Sequence, residues 1–287
     1  MIQIESKIIS NEQIGPAYWK MTLEAPQIAS EAMPGQFVHA RIDGTLLRRP
    51  FSIFRCVNSG PDSGTVEMVY RVVGRGTRLM TTLRPEEMLD IIGPLGHGFH
   101  WESTSKTHVL VAGGTGSAGL FMLGEEISRA AGKSGCELFI FLGAVTKAHL
   151  ILEKAFKTLD GKVMISTDDG SYGHKGLVTE ALAHAIQEEN IPADCVIYAS
   201  GPQPMLKSLA VLCQRYHIDA QVSLEKRMLC GIGACAACVC RVDKDGVLKH
   251  RNIDHSGIQF DMQEAYGYGL VCKDGPVFHI EEVVFDE

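Results

Sequence analysis

Four of the chain's nine cysteines fall within the eleven positions from Cys230 to Cys240, in the stretch MLCGIGACAACVC. Cys230, Cys235 and Cys238 are spaced C-x4-C-x2-C, the ligand spacing of plant-type [2Fe-2S] proteins, which take a fourth thiolate from farther along. Cys272, in LVCKDGPVF, is the only cysteine after Cys240. A loop around a compact anionic cluster must curve tightly and turn its N–H groups inward, which suits Gly231 and Gly233. A four-thiolate zinc site usually draws on two C-x2-C pairs. Only Cys235 and Cys238 form a clean one, because Cys238 and Cys240 stand too close together. Cys240 is therefore read as a bystander or an alternate ligand. Cys56, Cys136, Cys195 and Cys213 stand apart in apolar surroundings and read as buried structural thiols.

The rest of the chain must supply whatever this cage communicates with. A length of 287 residues implies two or three domains, and 45% hydrophobic with 21% charged residues is ordinary for a soluble globular protein. A net charge of -7 argues against a nucleic-acid partner. The first residues, MIQIESKIIS, lack a basic start followed by an apolar run, so no signal peptide is expected. Reduced thiols and a cytoplasmic location follow from that. The eighteen uncharged residues Thr107 to Gly124 contain five glycines and read as strand, turn and helix, so no membrane span is expected.

Up to about residue 100 the texture is β. In TVEMVYRVV, Val66, Met68, Tyr70 and Val72 alternate with Thr65, Glu67, Val69 and Arg71, and QFVHARI and EEMLDIIGP look similar, which suggests a small antiparallel barrel. From His108 onward, short apolar runs (HVLVA, CELFIFLG, KVMIST, DCVIYAS) alternate with helical patterns, as in a parallel sheet with crossover helices. One such helix is expected within Gly176 to Asn190, on Leu177, Ala181, Leu182, Ala185 and Ile186. The expected division is 1–100, 101–224 and 225–287.

Several motifs in these halves bear on ligands. In RRPFSI, Arg49 and Ser52 could offer a guanidinium and a hydroxyl to one ligand, although a solvated strand face would read the same way. VVGRGTRL places Gly74, Gly76 and Thr77 at the start of a helix, fit for a pyrophosphate or for a simple capped turn. GPLGHGF sets three glycines before the α/β half, at a close approach or a domain junction. Gly114-x-Gly116-x-x-Gly119 follows a strand and opens a helix, matching the dinucleotide fingerprint in context. The acidic residue of that fingerprint is missing from LGAVTKAHL after the second strand, and so is an arginine, which leans toward NAD over NADP. YASGPQPMLK puts Gly201 and Pro202 at a strand's C-terminal end, where open α/β sheets bind ligands.

Taken in order, R-P-F-S, G-R-G-T, G-G-T-G, G-P-Q-P-M and the cysteine tail resemble the ferredoxin-reductase superfamily over nearly the whole chain. LEKRMLCGIGACAACVC and VCKDGPVF look like the electron-transfer subunits of class B, NAD-linked dihydroorotate dehydrogenases. The resemblance implies a multidomain β and α/β protein: an antiparallel FAD-binding barrel, a parallel-sheet NAD domain and a C-terminal [2Fe-2S] domain. It implies that Arg49, Pro50, Phe51 and Ser52 hold FAD, that Tyr70, Arg71 and Val72 line its other side, and that Gly76 and Thr77 bind its phosphates. It places NAD at Gly113, Gly114, Thr115 and Gly116, with Gly201 and Pro202 beside them, and the cluster on Cys230, Cys235, Cys238 and Cys272. It also implies a heterotetramer with an FMN-containing catalytic subunit. Electrons from dihydroorotate would pass through the cluster and FAD to NAD+, in pyrimidine biosynthesis.

The chain shows no acid–base constellation for chemistry on an organic substrate, which fits a relay. The alternative is a diaphorase subunit of a hydrogenase, sulfide dehydrogenase or ferredoxin:NADP oxidoreductase. One departure stands out, the long interval between Cys238 and Cys272. Within it, about Lys249 to Gly269 carries Phe260, Met262, Tyr266 and Tyr268 and is read as a partner-contacting flap or a solvated loop.

Overall fold

The computed structural model of the chain describes residues 1–60, 63–188, 190–192, 194–251, 258–260 and 264–285. Six strands, β1 (Ile2–Gly15), β2 (Tyr18–Glu24), β3 (Phe37–Ala40), β4 (Arg49–Gly60), β5 (Ser63–Arg71) and β6 (Met88–Leu95), close a barrel in the order β1-β2-β5-β4-β3-β6. Every neighbouring pair is antiparallel. Val66, Met68 and Tyr70 fill its interior with Ile8, Met21 and Ile53. Val69, on the opposite face of β5, is also buried, because Tyr18, Phe54 and Val69 form the wall against which the second half packs. Alternation thus reports the barrel core and fails where the outer face is covered too. Two short helices, α1 (Pro26–Glu31) and α2 (Arg75–Met80), complete this half.

The second half runs β7 (Thr107–Gly113), α3 (Gly116–Ser134), β8 (Glu137–Ala144), α4 (Glu153–Phe156), β9 (Lys162–Thr167), β10 (His174–Lys175), α5 (Val178–Gln187), β11 (Val196–Ser200), α6 (Gln203–Tyr216) and β12 (Asp219–Ser223). The uncharged run from Thr107 becomes β7, buried along its whole length, and the start of α3. Among the described residues, no helix is long and apolar enough to cross a membrane. Helix α5 buries Leu182 and Ile186 as its spacing predicts, but Leu177 lies outside it. The extended Leu177 backbone caps the helix, donating its N–H to Glu180 Oε2 at 2.8 Å, and the side chain is left exposed.

The tail is not separate from this sheet. Strands β13 (Val239–Asp243), β14 (Gln259–Phe260) and β15 (Tyr266–Leu270) form a sheet of their own around α7 (Lys244–His250), whereas β16 (Val277–His279) pairs antiparallel with β12. The seven-stranded order is therefore β10-β9-β8-β7-β11-β12-β16. Val242, Val247, Val271 and Phe278 of the tail share one core with Val222 and Leu224. A polar clasp covers the seam. His279 pairs with Asp219, His250 Nε2 lies 2.9 Å from Glu281 Oε2, and the two imidazoles stack at 3.4 Å. Of the expected flap, Phe260 and Tyr266 lie on paired strands, Tyr268 is exposed on β15, and Met262 lies outside the described residues.

Candidate functional site

Two grooves open between the barrel and the parallel sheet. The first, about 430 Å³, is lined by Arg49, Pro50, Phe51 and Ser52 from β4, by Tyr70 and Arg71 from β5, and by Thr77, Thr115 and Glu225. The two adjacent arginines divide their work. Arg48 is turned inward and pairs with Asp90 at 2.5 Å, while Arg49 faces the groove with its Nη1 donating to the Leu47 and Arg48 carbonyls at 2.5 and 3.1 Å. Gly76 sits behind Arg49, and a side chain there would come within 3.3 Å of its Nε. Thr77 Oγ1 accepts the N–H groups of Val73 and Gly74 at 2.9 and 3.2 Å and so holds the G-R-G turn shut. Val72 stands outside the lining and closes the end of the β5 segment through its N–H to Ala17 O at 2.7 Å. Tyr70 donates to Asn11 Oδ1 at 3.0 Å and meets Phe51 edge-on at 5.9 Å.

The second groove, about 480 Å³, lies at the C-terminal edge of the parallel strands and includes Gly113, Gly114, Pro202 and Met205. Gly116 abuts the Ser200 carbonyl, and Gly201 packs on Met205, so both build the walls from behind. Gly119 brings α3 to the barrel: a side chain there would touch both Ser52 Oγ and Ser200 Oγ at 3.5 Å. The acid missing after the second parallel strand has a candidate after the third. Asp168, just past β9, lines the groove with His149, and its N–H donates to Ala144 O at 3.1 Å. The sequence signal was the acidic pair directly after KVMIST. Arg71 lines both grooves, so they adjoin.

Leu224, Glu225, Lys226 and Met228 line the first groove and lead directly into the cysteine loop. There, Cys230 Sγ accepts the N–H groups of Ile232 and Ala234 at 3.5 and 3.3 Å, and Cys272 Sγ accepts that of Gly233 at 3.1 Å. Cys272 N–H donates to Cys238 Sγ at 3.4 Å. Burial opposes ionisation of Cys230, but the Ile232 N–H, the Cys235 thiol and the Ala234 N–H outweigh it and bring its pKa down to about 7. Burial first, and then the Cys238 thiol beside it, push Cys272 up to about 12. Four thiols are therefore gathered with main-chain N–H groups already turned toward sulfur, the donor set of an anionic iron–sulfur cluster. Cys240 is outside this set: its thiol points to Gly269 O at 3.5 Å, and burial pushes it up to about 12. Cys56, Cys195 and Cys213 are likewise pushed up to about 12 by burial, as inert thiols are.

One buried polar side chain near the cage has no counterpart in the motifs. His39, on β3, is fully buried, and neither ring nitrogen makes a well-formed hydrogen bond among the described residues. Burial holds its pKa down at about 4, against an upward pull from the backbone of Cys230 and Arg48.

Among solved structures, an NADH-dependent reduced ferredoxin-NADP oxidoreductase described for flavin-based electron bifurcation is similar over 99% of this chain and 91% of its own, with a TM-score of 0.76 and 29% identity. A ferredoxin NADP+ reductase from Neisseria gonorrhoeae with bound FAD and NADP matches 75% of this chain and 91% of its own, at a TM-score of 0.62 and 17% identity. Barrel, parallel sheet and thiol cage together define a ferredoxin-reductase-like oxidoreductase with an iron–sulfur tail. Residues 225–252 match the iron-sulfur cluster binding domain of dihydroorotate dehydrogenase B. The dihydroorotate dehydrogenase B (NAD(+)) electron transfer subunit of Shouchella clausii is 36% identical over 282 residues, 96% of each chain, and that of Desulforamulus reducens is 32% identical over 285 residues, 98% of each. The chain belongs to the family of dihydroorotate dehydrogenase B electron transfer subunits.

Proposed function

We propose that this chain passes electrons from the FMN of a dihydroorotate dehydrogenase catalytic subunit to NAD+, in pyrimidine biosynthesis, by way of a [2Fe-2S] cluster and FAD. When bound, the cluster carries single electrons, FAD exchanges them singly or in pairs, and the nicotinamide takes a hydride. The observation that carries the reading is continuity. Arg71 joins the two grooves, and the 224–228 segment joins the first groove to the thiol cage.

The protein's own groups then have defined tasks. Arg49, freed from the core by the Arg48–Asp90 pair, would hold the flavin's pyrophosphate, with Gly76 and Thr77 shaping the turn beside it. Phe51, Ser52, Tyr70 and Arg71 would frame its ring system, with Pro50 in the same strand and Val72 closing the strand end behind them. Gly113, Gly114 and Pro202 would receive NAD, backed by Gly116 and Gly201, with Thr115 on the side of the first groove and Asp168 at the ribose. Cys230, Cys235, Cys238 and Cys272 would ligate the cluster. Residues 1–100, 101–224 and 225–287 would then be the flavin, nicotinamide and cluster units, with the last docked through β16. Cys235 is exposed, and Leu229 and Ile232 beside it are about half exposed, at 45% and 48%. This apolar rim is where the catalytic subunit would seat, within a cytoplasmic heterotetramer.

The test is division of labour. The isolated chain should reduce dyes with NADH and leave dihydroorotate untouched, and an added FMN-containing catalytic subunit should create dihydroorotate:NAD+ activity. Oxidation of dihydroorotate by the isolated chain would overturn the reading. Productive binding only to a hydrogenase or ferredoxin-type partner would favour the diaphorase reading, which the 29% identical bifurcating relative supports.

A further inference from the structure

The barrel and the thiol cage meet at one side chain. On β3, Val38 and Ala40 point into the barrel core, so His39, between them, points outward. Its strand neighbour on one side is Pro50 of the flavin strand and on the other Ile92. What its ring meets outside the barrel is Gly231, the residue after Cys230. Gly231 has a φ of +73°, and a side chain there would collide with His39 Nδ1. The imidazole therefore occupies the space that the glycine leaves empty. It is fully buried with the backbone of Cys230 and Arg48 near its ring, yet neither nitrogen makes a well-formed hydrogen bond among the described residues.

A polar side chain in the interior without a well-formed hydrogen bond is costly, and an anionic group beside the Cys230 loop would supply the missing partner. We propose that His39 is a positioning residue for the iron–sulfur cluster: an imidazole wedge that seats the Cys230 loop on the flavin strand and supplies an N–H toward the cage's sulfur. This rests on the electron-transfer reading above. The cage already receives main-chain N–H groups from Ile232, Gly233 and Ala234, all from the loop itself. His39 would add one from the barrel, and so couple the cluster's electronics to the flavin half. Reduction of a cluster adds one negative charge, and an N–H aimed at sulfur stabilises that state more than the oxidised one, which raises the potential.

The experiment compares wild-type holoprotein with His39→Leu, which keeps bulk and removes the donor, and His39→Gln, which restores a donor. Iron and FAD content, the reduced-cluster EPR spectrum and a potentiometric titration are read for each. His39→Leu should keep both cofactors, change the EPR g values and lower the equilibrium constant for cluster reduction about tenfold, equivalent to about 59 mV for a one-electron couple. His39→Gln should recover at least about half of that shift. Wild-type g values and potential in His39→Leu would overturn the proposal, as would loss of iron in both variants, which would mark a purely structural side chain. A wild-type protein without a [2Fe-2S] signal would instead overturn the electron-transfer reading, and this one with it.

Discussion

The N–H of Gly233 donates to Cys272 Sγ at 3.1 Å, joining positions 39 residues apart, and the N–H of Cys272 in turn donates to Cys238 Sγ at 3.4 Å. The distant fourth thiol is thus bound into the loop that carries the other three. Serine at Cys230, Cys235, Cys238 or Cys272 should remove the cluster, because a hard hydroxyl poorly replaces a soft thiolate. Cys240→Ser should keep about two iron atoms per chain, since that thiol already faces Gly269 O inside the core. Iron analysis and EPR of the five variants decide this. Iron retained in any of the first four, or lost in the fifth, would refute the ligand set.

Arg48 and Arg49 should separate stability from cofactor binding. Arg49→Ala should weaken FAD by roughly 2–3 kcal/mol, or about 30- to 150-fold, through loss of a charge-assisted contact to pyrophosphate. Arg48→Ala leaves the largely buried Asp90 carboxylate without its cation and should destabilise the fold by about 3 kcal/mol, with FAD affinity changed less. Flavin titration and urea unfolding of both proteins would show the crossover, and identical phenotypes would contradict it.

Asp168 should set the nucleotide preference. Asp168 lines the second groove, and a carboxylate beside a bound ribose would accept from its 2′-hydroxyl and repel a 2′-phosphate. Asp168→Ala should reduce the NADH-over-NADPH preference in dye reduction by about tenfold or more, corresponding to about 1.4 kcal/mol. An unchanged ratio of kcat/KM values would place the ribose elsewhere.

The clasp between β12 and β16 makes tail docking acid-sensitive. The hydrogen bond from His279 lowers the pKa of Asp219, and hydrogen bonds from His250 and Lys249 lower that of Glu281. A carboxylate whose folded pKa lies below its unfolded value contributes stability in full above the unfolded value of about 4 and loses it as pH falls through the folded one. The stability difference between wild type and Asp219→Ala should therefore be larger at about pH 5 than below about pH 4. Both carboxylates are largely exposed, so the effect will be modest. Urea unfolding across that range tests it, and a difference that grows on acidification would reverse the sign.

The chain's local order was enough to read the cysteine spacing, the β-then-α/β texture and the glycine fingerprint, because each is set by neighbours within one loop, strand or turn. The assignment of Leu177 to a helix face failed for a local reason as well: periodicity does not register that a capping backbone leaves its own side chain outside. What only the tertiary structure decided depends on elements meeting. Which of two adjacent arginines serves the groove follows from Asp90 arriving on β6. Asp168 reaches the second groove from the end of β9 because the parallel sheet sets its C-terminal edges side by side. The tail joins the nucleotide sheet because β16 finds an open edge at β12. His39, unremarkable within QFVHARI, acquires a role because barrel closure turns it onto Gly231, some 190 residues away in a chain whose one-dimensional order holds no trace of that contact.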